Sequence, residues 1–291
     1  MKIIILGSNG ILGHILFLLL IQNKKNKVLG LCGESVIESK FYLQHSQNLE
    51  IINLSDINSI KNKIKKFKPN FIINCAVKKN KPTLENEYYN YIFINSILPH
   101  ILASLTDKYN FKLIHISTDS VLGNNFISAN EVNQYNSNDF YSASKLIGEV
   151  LDNKNTITLR TSIIGHSLSG NKGLLDWVIG SKKIIGFDKC IYSGTTALEI
   201  SKLIIKIIHH NNFNEGLFHV GAIKISKYKL IKKLCKIYKL DTSIVVDKIN
   251  KISRILDSKK FNKLYNYKVP EWDTLLLETK IFYQKNKFNY D

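Results

Sequence analysis

The chain has 291 residues, 44% of them hydrophobic, enough to bury a real core as one large or two interleaved domains. Lysine and arginine number 41 against 23 acidic residues, a formal charge of +18. Only Arg160 and Arg254 are arginine and the lysines are spread without an aromatic-interleaved stripe, so the charge reads as compositional bias rather than a nucleic-acid footprint. No apolar run is long enough for a bilayer, Met1-Lys2 leads straight into a strand rather than a leader, and Cys32, Cys75, Cys190 and Cys235 form no CxxC pair. These features predict a cytoplasmic protein with reduced thiols and neither membrane nor nucleic acid as partner.

The first predicted element is a strand over Lys2–Leu6. Gly7-Ser8-Asn9-Gly10-Ile11-Leu12-Gly13 follows at once, and a helix is expected over His14–Gln22. Strand, glycine turn and helix N-terminus together form a cradle for a dinucleotide pyrophosphate, because glycine tolerates positive φ and lets backbone N–H groups approach the ligand. The spacing is GxxGxxG rather than the general GxGxxG.

Beyond it, strands are expected at Lys27–Leu31, Glu50–Asn53, Phe71–Asn74, Lys112–Ser117 and Thr156–Leu159. Helices are expected at Ile57–Phe67, Tyr88–Tyr109 and Tyr141–Leu151. This βαβ rhythm, with near-continuous Ile, Val and Leu in the strands, predicts a parallel sheet covered on both faces. After Thr161 the rhythm shortens among glycines. It resumes with a helix at Thr196–His209, a strand at Gly216–Val220, a helix at Lys227–Tyr238, a strand near Ile244–Val246, and helices at Asp257–Leu264 and Trp272–Tyr283. The expected fold class is α/β, a Rossmann-type doubly wound parallel sheet with a smaller α/β substrate domain. Residues 1–162, joined by about 187–212, would form the nucleotide-binding domain, and 163–291 mainly the substrate region.

Tyr141-Ser142-Ala143-Ser144-Lys145 is a YxxxK, which on a helix puts phenol and ammonium on one face. A cation beside the phenol would lower its pKa toward a value useful for proton transfer to a carbonyl oxygen. The pattern recurs at Tyr228/Lys232 and Tyr283/Lys287, so position discriminates. Only Tyr141 follows a buried strand ending in Ser117-Thr118-Asp119, and Thr118 stands at the carboxyl end where an open α/β sheet binds ligands. Thr118, Tyr141 and Lys145 are therefore the candidate catalytic residues.

Together GSNGILG, IINCAV, HISTDSVLG, YSASKLIGE and LRTSIIG resemble an extended short-chain dehydrogenase, and SGTTALEISKLI, GLFHVG, ISKYKLIKKL and LDSKKF extend the likeness over nearly the whole chain. Within that group the chain is most similar to dTDP-4-dehydrorhamnose reductases and related nucleotide-sugar ketoreductases. The resemblance implies NADPH or NADH as cofactor. Gly7, Gly10 and Gly13 would hold the pyrophosphate, with backbone contacts from Asn9, Ile11 and Leu12. Asn53 and Leu54 would meet the adenine, with Asn where the family has Asp, and Cys75, Ala76 and Val77 would line the cofactor's middle. Tyr141 and Lys145 would reach the nicotinamide ribose, and Asn95 would support the lysine. Glu34, after the second strand, leans toward NAD, but NAD and NADP both stay open.

Dehydrating relatives carry Thr-Asp-Glu where this chain has Thr118-Asp119-Ser120. Ser120 cannot protonate a departing hydroxyl at neutral pH, so the resemblance points to reduction of a 4-keto-6-deoxy nucleotide sugar for cell-surface polysaccharide precursors. An epimerase of the same superfamily and a non-catalytic regulatory or assembly subunit are the alternatives. Arg254 would grip the substrate's diphosphate ahead of a Leu-Asp helix start, or be a surface arginine there. Lys78 and Lys79 would flank the sugar or belong to a lysine-rich loop, and Trp177 would wall the ligand or be core. Arg160 is expected to anchor a strand end. No histidine spacing suggests a metal, and a homodimer is compatible with the reading.

Overall fold

The computed structural model describes residues 1–33, 38–124, 126–132, 139–170, 173–210 and 213–290. Its central sheet contains, among the described residues, seven parallel strands: β1 (Lys2–Leu6), β2 (Lys27–Cys32), β3 (Leu49–Ile51), β4 (Phe71–Asn74), β5 (Lys112–Thr118), β6 (Thr156–Thr161) and β7 (Gly216–His219). They lie in the order β7-β6-β5-β4-β1-β2-β3. The order reverses between β1 and β4, where Leu6 pairs with Leu31 on one side and Asn74 on the other. That reversal opens a crevice at the carboxyl ends of the strands, which is where such sheets take ligands. The fold is the expected Rossmann-like α/β architecture.

Burial on both faces explains the unbroken apolar strands. One face packs Ile3, Ile5 and Ile73 under the helices Ile11–Ile21 and Ala197–Ile208, through Leu16, Phe17, Ile200 and Ile204. The other packs Ile4, Leu6 and Ile72 under the helices Ile57–Phe67 and Leu98–Ser104. A separate cluster, with Val178, Ile184, Leu230, Leu234, Trp272 and Leu275, forms the core of the later part of the chain. Beside it a four-stranded sheet joins Ile225–Ser226, Cys190–Tyr192, Ile252–Leu256 and Phe126–Ala129.

Two expected helices are cut short. The Tyr88–Tyr109 prediction resolves into helices Glu85–Ile92, Leu98–Ser104 and Thr106–Tyr109, with a wide π-helical turn at Phe93–Ile97. Pro99 has no N–H to give the Asn95 carbonyl four residues earlier, so the ladder widens there. The Tyr141–Leu151 prediction ends at Ile147, and Gly148 passes so close to the same Asn95 carbonyl that a Cβ there would overlap it.

Candidate active site

The glycine turn closes tightly on its neighbours. Gly7 adopts φ +75°, and the Gly7 and Ser8 N–H groups donate to the Leu31 carbonyl at 2.9 and 3.2 Å. A Cβ at Gly7 would come within 2.8 Å of the Ala76 backbone, and one at Gly13 would overlap the Gly7 carbonyl. Gly10 differs. A Cβ there would meet only the Gly7 oxygen, at 3.3 Å, so its outer side is open space. Gly7 and Gly13 therefore shape the turn, while Gly10 leaves room beside it. The helix beginning at Ile11 has no side-chain cap, so its first N–H groups face that room with no cap from the chain. A Cβ-free hollow at an uncapped helix N-terminus fits an anionic pyrophosphate.

Asn9 and Ile11 are half-buried and Leu12 is buried along this turn. Cys75, Ala76 and Val77 run across its floor: the Cys75 N–H donates to the Leu6 carbonyl at 3.0 Å, and the Ala76 N–H to Asn74 Oδ1 at 3.2 Å. Leu54 is buried, whereas Asn53 is exposed, with its Oδ1 accepting the Ser55 N–H at 3.0 Å. One acceptor position of Asn53 is thereby filled from within the chain. Glu34 lies outside the described residues.

At the carboxyl end of β5, Thr118 Oγ1 stands 3.1 Å from Ser120 Oγ and accepts the Ser120 N–H at 3.3 Å. Thr118 also lies close enough to the Tyr141 phenol to act on its pKa. Tyr141 sits in the first turn of the helix Phe140–Ile147, whose start is fixed by Asp139 accepting from Ser142 N–H and Oγ at 2.8 and 2.9 Å. Burial pushes the phenol pKa up, Thr118 opposes this, and the Asp119 carboxyl adds to the rise. The expectation that Lys145 lowers the tyrosine pKa is thus corrected for the protein alone. The Lys145 Nζ donates to the Ile116 carbonyl at 2.8 Å and lies 3.5 Å from His115 Nε2. Burial lowers its own pKa to about 8.

Asn95 braces this region from the π-helical turn. Its Oδ1 accepts the Lys78 N–H at 2.9 Å, and its Nδ2 donates to the Lys78 carbonyl at 2.8 Å and to Ser144 Oγ at 3.1 Å. The asparagine fixes the loop after β4 to the helix of Tyr141 and Lys145. The Lys78 side chain is exposed, and Lys79 lies close enough to Asp119 to interact with it.

The two arginines diverge. Arg160 is wholly buried, with Nε and Nη2 donating to the two Glu149 oxygens at 2.8 and 2.7 Å and Nη1 3.2 Å from His219 Nε2. It anchors the strand end as expected. Arg254 is not at a helix start: it lies mid-strand in Ile252–Leu256, pairing with Tyr192 and Phe126, and the helix begins only at Lys259. Its Nε and Nη2 both donate to Asn124 Oδ1, at 3.0 and 2.6 Å, and it faces Asp119 and Lys227 electrostatically. Trp177 is half-exposed on the helix Leu174–Gly180, whose buried positions are Leu175, Asp176 and Val178, so it is not core.

Sequence reasoning missed the groups that gather around Asp119. Burial raises this carboxyl's pKa, and Arg254 and Lys227 pull it back down. Lys227 Nζ sits 4.2 Å from the centre of the Tyr192 ring. Glu149, four residues beyond Lys145, also went unread, although its spacing from Lys145 was a usable signal.

The model of the family described as the RmlD substrate binding domain matches residues 1–279, and the chain belongs to that family. It is similar to the dTDP-4-dehydrorhamnose reductase of Aggregatibacter actinomycetemcomitans, 28% identical over 75% of this chain and 72% of that protein. It is also similar to the methionine adenosyltransferase 2 subunit beta of Xenopus laevis, 24% identical over 83% and 73% respectively. Among solved structures, the dTDP-4-dehydrorhamnose reductase of Bacillus anthracis in complex with NADP superposes with a TM-score of 0.76 at 21% identity, covering 96% of this chain and 98% of that one. The enzyme WbmG of Bordetella bronchiseptica, in complex with NAD and UDP, does so at 0.78 and 17% identity, covering 98% and 94%.

Proposed function

We propose that this member of the family reduces the C4 ketone of a 4-keto-6-deoxy nucleotide sugar, using NADH or NADPH, as a dTDP-4-dehydrorhamnose reductase does. The observation that carries the reading is the Tyr141 phenol placed near Thr118 at the carboxyl end of β5, in a fold whose glycine turn leaves an open, uncapped helix N-terminus. The relative named as that reductase, and the structural neighbour holding NADP, support the cofactor and the substrate class.

In this reading Gly7, Gly10 and Gly13, with the N–H groups of the first helical turn, hold the cofactor's pyrophosphate. Asn53 and Leu54 meet the adenine, Cys75 to Val77 line its middle, and Tyr141 and Lys145 reach the ribose. When bound, the reduced nicotinamide supplies the hydride. Tyr141, kept protonated by its raised pKa, gives its proton to the ketone oxygen, and Thr118 donates a hydrogen bond to the same oxygen. Arg254 holds the substrate's diphosphate, Lys78 flanks the sugar, and Trp177 borders the ligand. Residues 1–162 with about 187–212 form the nucleotide-binding unit, the remainder the substrate region, in a cytoplasmic protein compatible with a homodimer.

The likeness to a methionine adenosyltransferase subunit favours a second reading, a partner subunit that keeps the fold and the cofactor without turnover. One experiment separates the two. The purified protein is given NADPH or NADH and a dTDP-4-keto-6-deoxyhexose, and product is sought by mass spectrometry as a gain of two hydrogens. Turnover that disappears with Gly10→Val supports the reductase. Fluorescence-detected binding of NAD(P)H with no turnover of any nucleotide sugar supports the subunit.

A further inference from the structure

The Gly10 carbonyl is held by two donors from one residue: the His14 backbone N–H at 3.0 Å and the His14 ring Nδ1 at 2.8 Å. A carbonyl only accepts, so Nδ1 carries the ring proton and Nε2 is left as a lone pair. That lone pair faces the Tyr290 hydroxyl at 2.9 Å, so Tyr290 is the donor. His14 is wholly buried and Tyr290 nearly so, and the phenol ring is seated edge-on against Tyr283, with centroids 4.7 Å apart. A proton-ordered chain therefore runs from Tyr290 through His14 to Gly10, and its first link joins residues 276 positions apart in sequence.

The Gly10 carbonyl and the Ile11 N–H belong to one planar trans peptide and point in opposite directions. Fixing the carbonyl toward His14 aims the Ile11 N–H out of the helix end, into the hollow beside Gly10. The same segment also grips a second part of the fold. Asn289 Oδ1 lies 2.7 Å from His45 Nε2, the Phe288 carbonyl accepts from Gln44 at 2.7 Å, and the Tyr290 carbonyl accepts from Lys40 Nζ at 3.2 Å. Those three partners lie on the helix Lys40–His45, which precedes β3. The segment Lys287–Tyr290 is thus a strap across two elements on the β2 side of the crevice.

We infer that Tyr290 is a positioning residue for the pyrophosphate turn, acting through His14 on the Gly10–Ile11 peptide, so that the strap sets affinity for the adenosine diphosphate half of the cofactor. The inference rests on the proposal that the glycine turn holds that pyrophosphate. Tyr290→Phe keeps the ring and removes only the hydroxyl that orients His14. It leaves the imidazole lone pair buried without a donor, so the ring is free to turn away from Gly10.

The test measures dissociation constants for NADH and for ADP-ribose, by fluorescence and by its displacement, on the full chain and its variants. Loss of one hydrogen bond's orienting effect in Tyr290→Phe is expected to weaken both ligands by roughly three- to tenfold. The two should weaken equally, because ADP-ribose lacks the nicotinamide. In a His14→Phe background, Tyr290→Phe should have no further effect, since the relay is already cut. An unchanged affinity for ADP-ribose in Tyr290→Phe, even with a lowered melting temperature, would show a purely structural role and overturn the inference. So would equal effects of Tyr290→Phe with and without His14. Gly10→Val separates the two levels. If it abolishes binding while Tyr290→Phe is silent, only the relay fails; if Gly10→Val binds normally, the turn's role fails and the relay with it.

Discussion

The Lys145 ammonium donates to the Ile116 carbonyl at 2.8 Å, drawn to the edge of β5. Taken out of water, it has its pKa lowered to about 8, with Glu149 the first group opposing the drop. A depressed lysine is charged below its folded pKa and neutral above it. The ammonium form, which hydrogen-bonds the cofactor ribose in the proposed reaction, is therefore expected to disappear as pH rises through about 8. The pH profile of kcat/KM for sugar reduction should show a descending limb there, falling roughly tenfold per pH unit. Lys145→Met should cut the rate and abolish the limb. A profile flat to pH 10 in the unmodified protein would contradict the assignment of Lys145.

Tyr141 lies near Thr118 at the end of β5, and burial keeps the phenol protonated. Tyr141→Phe is expected to lower kcat by roughly 10²-fold or more, the scale of a general acid, with cofactor affinity little changed. Tyr228→Phe, at the second YxxxK on the helix Lys227–Tyr238, should leave kcat near its starting value. Similar losses in both variants would remove Tyr141 from its proposed role.

Glu149 couples the catalytic helix to the sheet. Its carboxylate accepts from Ser117 Oγ at 2.6 Å and from Arg160 in a bidentate pair, with both side chains buried. Breaking such a pair by removing one partner leaves an uncompensated charge and costs about 3–5 kcal/mol. At about 2–4 °C per kcal/mol for a chain of this class, Glu149→Ala should lower the melting temperature by roughly 6–20 °C. Glu149→Leu combined with Arg160→Leu should recover part of that loss, because no lone charge remains. A double variant no more stable than Glu149→Ala would show that the charge is not the cause.

Local chemistry made much of this legible in the sequence. The strand and glycine turn at Lys2–Gly13 read correctly because an unbroken apolar run leads straight into glycines, two of which, Gly7 and Gly13, stand where a Cβ would overlap backbone. The helices Ile57–Phe67 and Lys227–Tyr238 fall on their predicted limits, since both are strongly amphipathic and end in a left-handed residue, Lys68 and Lys239. What the sequence hid depends on contacts between distant segments. The close approach of Gly148 to the Asn95 carbonyl joins the π-helical turn at Phe93–Ile97 to a helix some fifty residues later. Arg254 lies in a strand because Cys190–Tyr192 and Phe126–Ala129 flank it, pairings no local pattern announces. Lys145 turns to Ile116 rather than to the phenol because a carbonyl from another element is the acceptor within reach.

Arg254 supplies the sharpest test of how the substrate is held. Its Nε and Nη2 converge on Asn124 Oδ1, which fixes the plane of the guanidinium, while Asp119 and Lys227 surround it electrostatically. A planar fork oriented in this way suits the two oxygens of a diphosphate, and lysine cannot reproduce it although it keeps the charge. Arg254→Lys is therefore expected to raise KM for the nucleotide sugar. Losing one charge-assisted hydrogen bond, at about 1.5–3 kcal/mol, corresponds to roughly tenfold to a hundredfold. Affinity for NADH or NADPH should stay unchanged, because those ligands are assigned to the glycine turn between β1 and its helix, whereas Arg254 lies in the four-stranded sheet. Steady-state kinetics with the sugar varied, set beside a cofactor titration, measures both. An unaltered KM, or an equal loss of cofactor affinity, would show that Arg254 serves Asn124 and the local fold rather than the diphosphate.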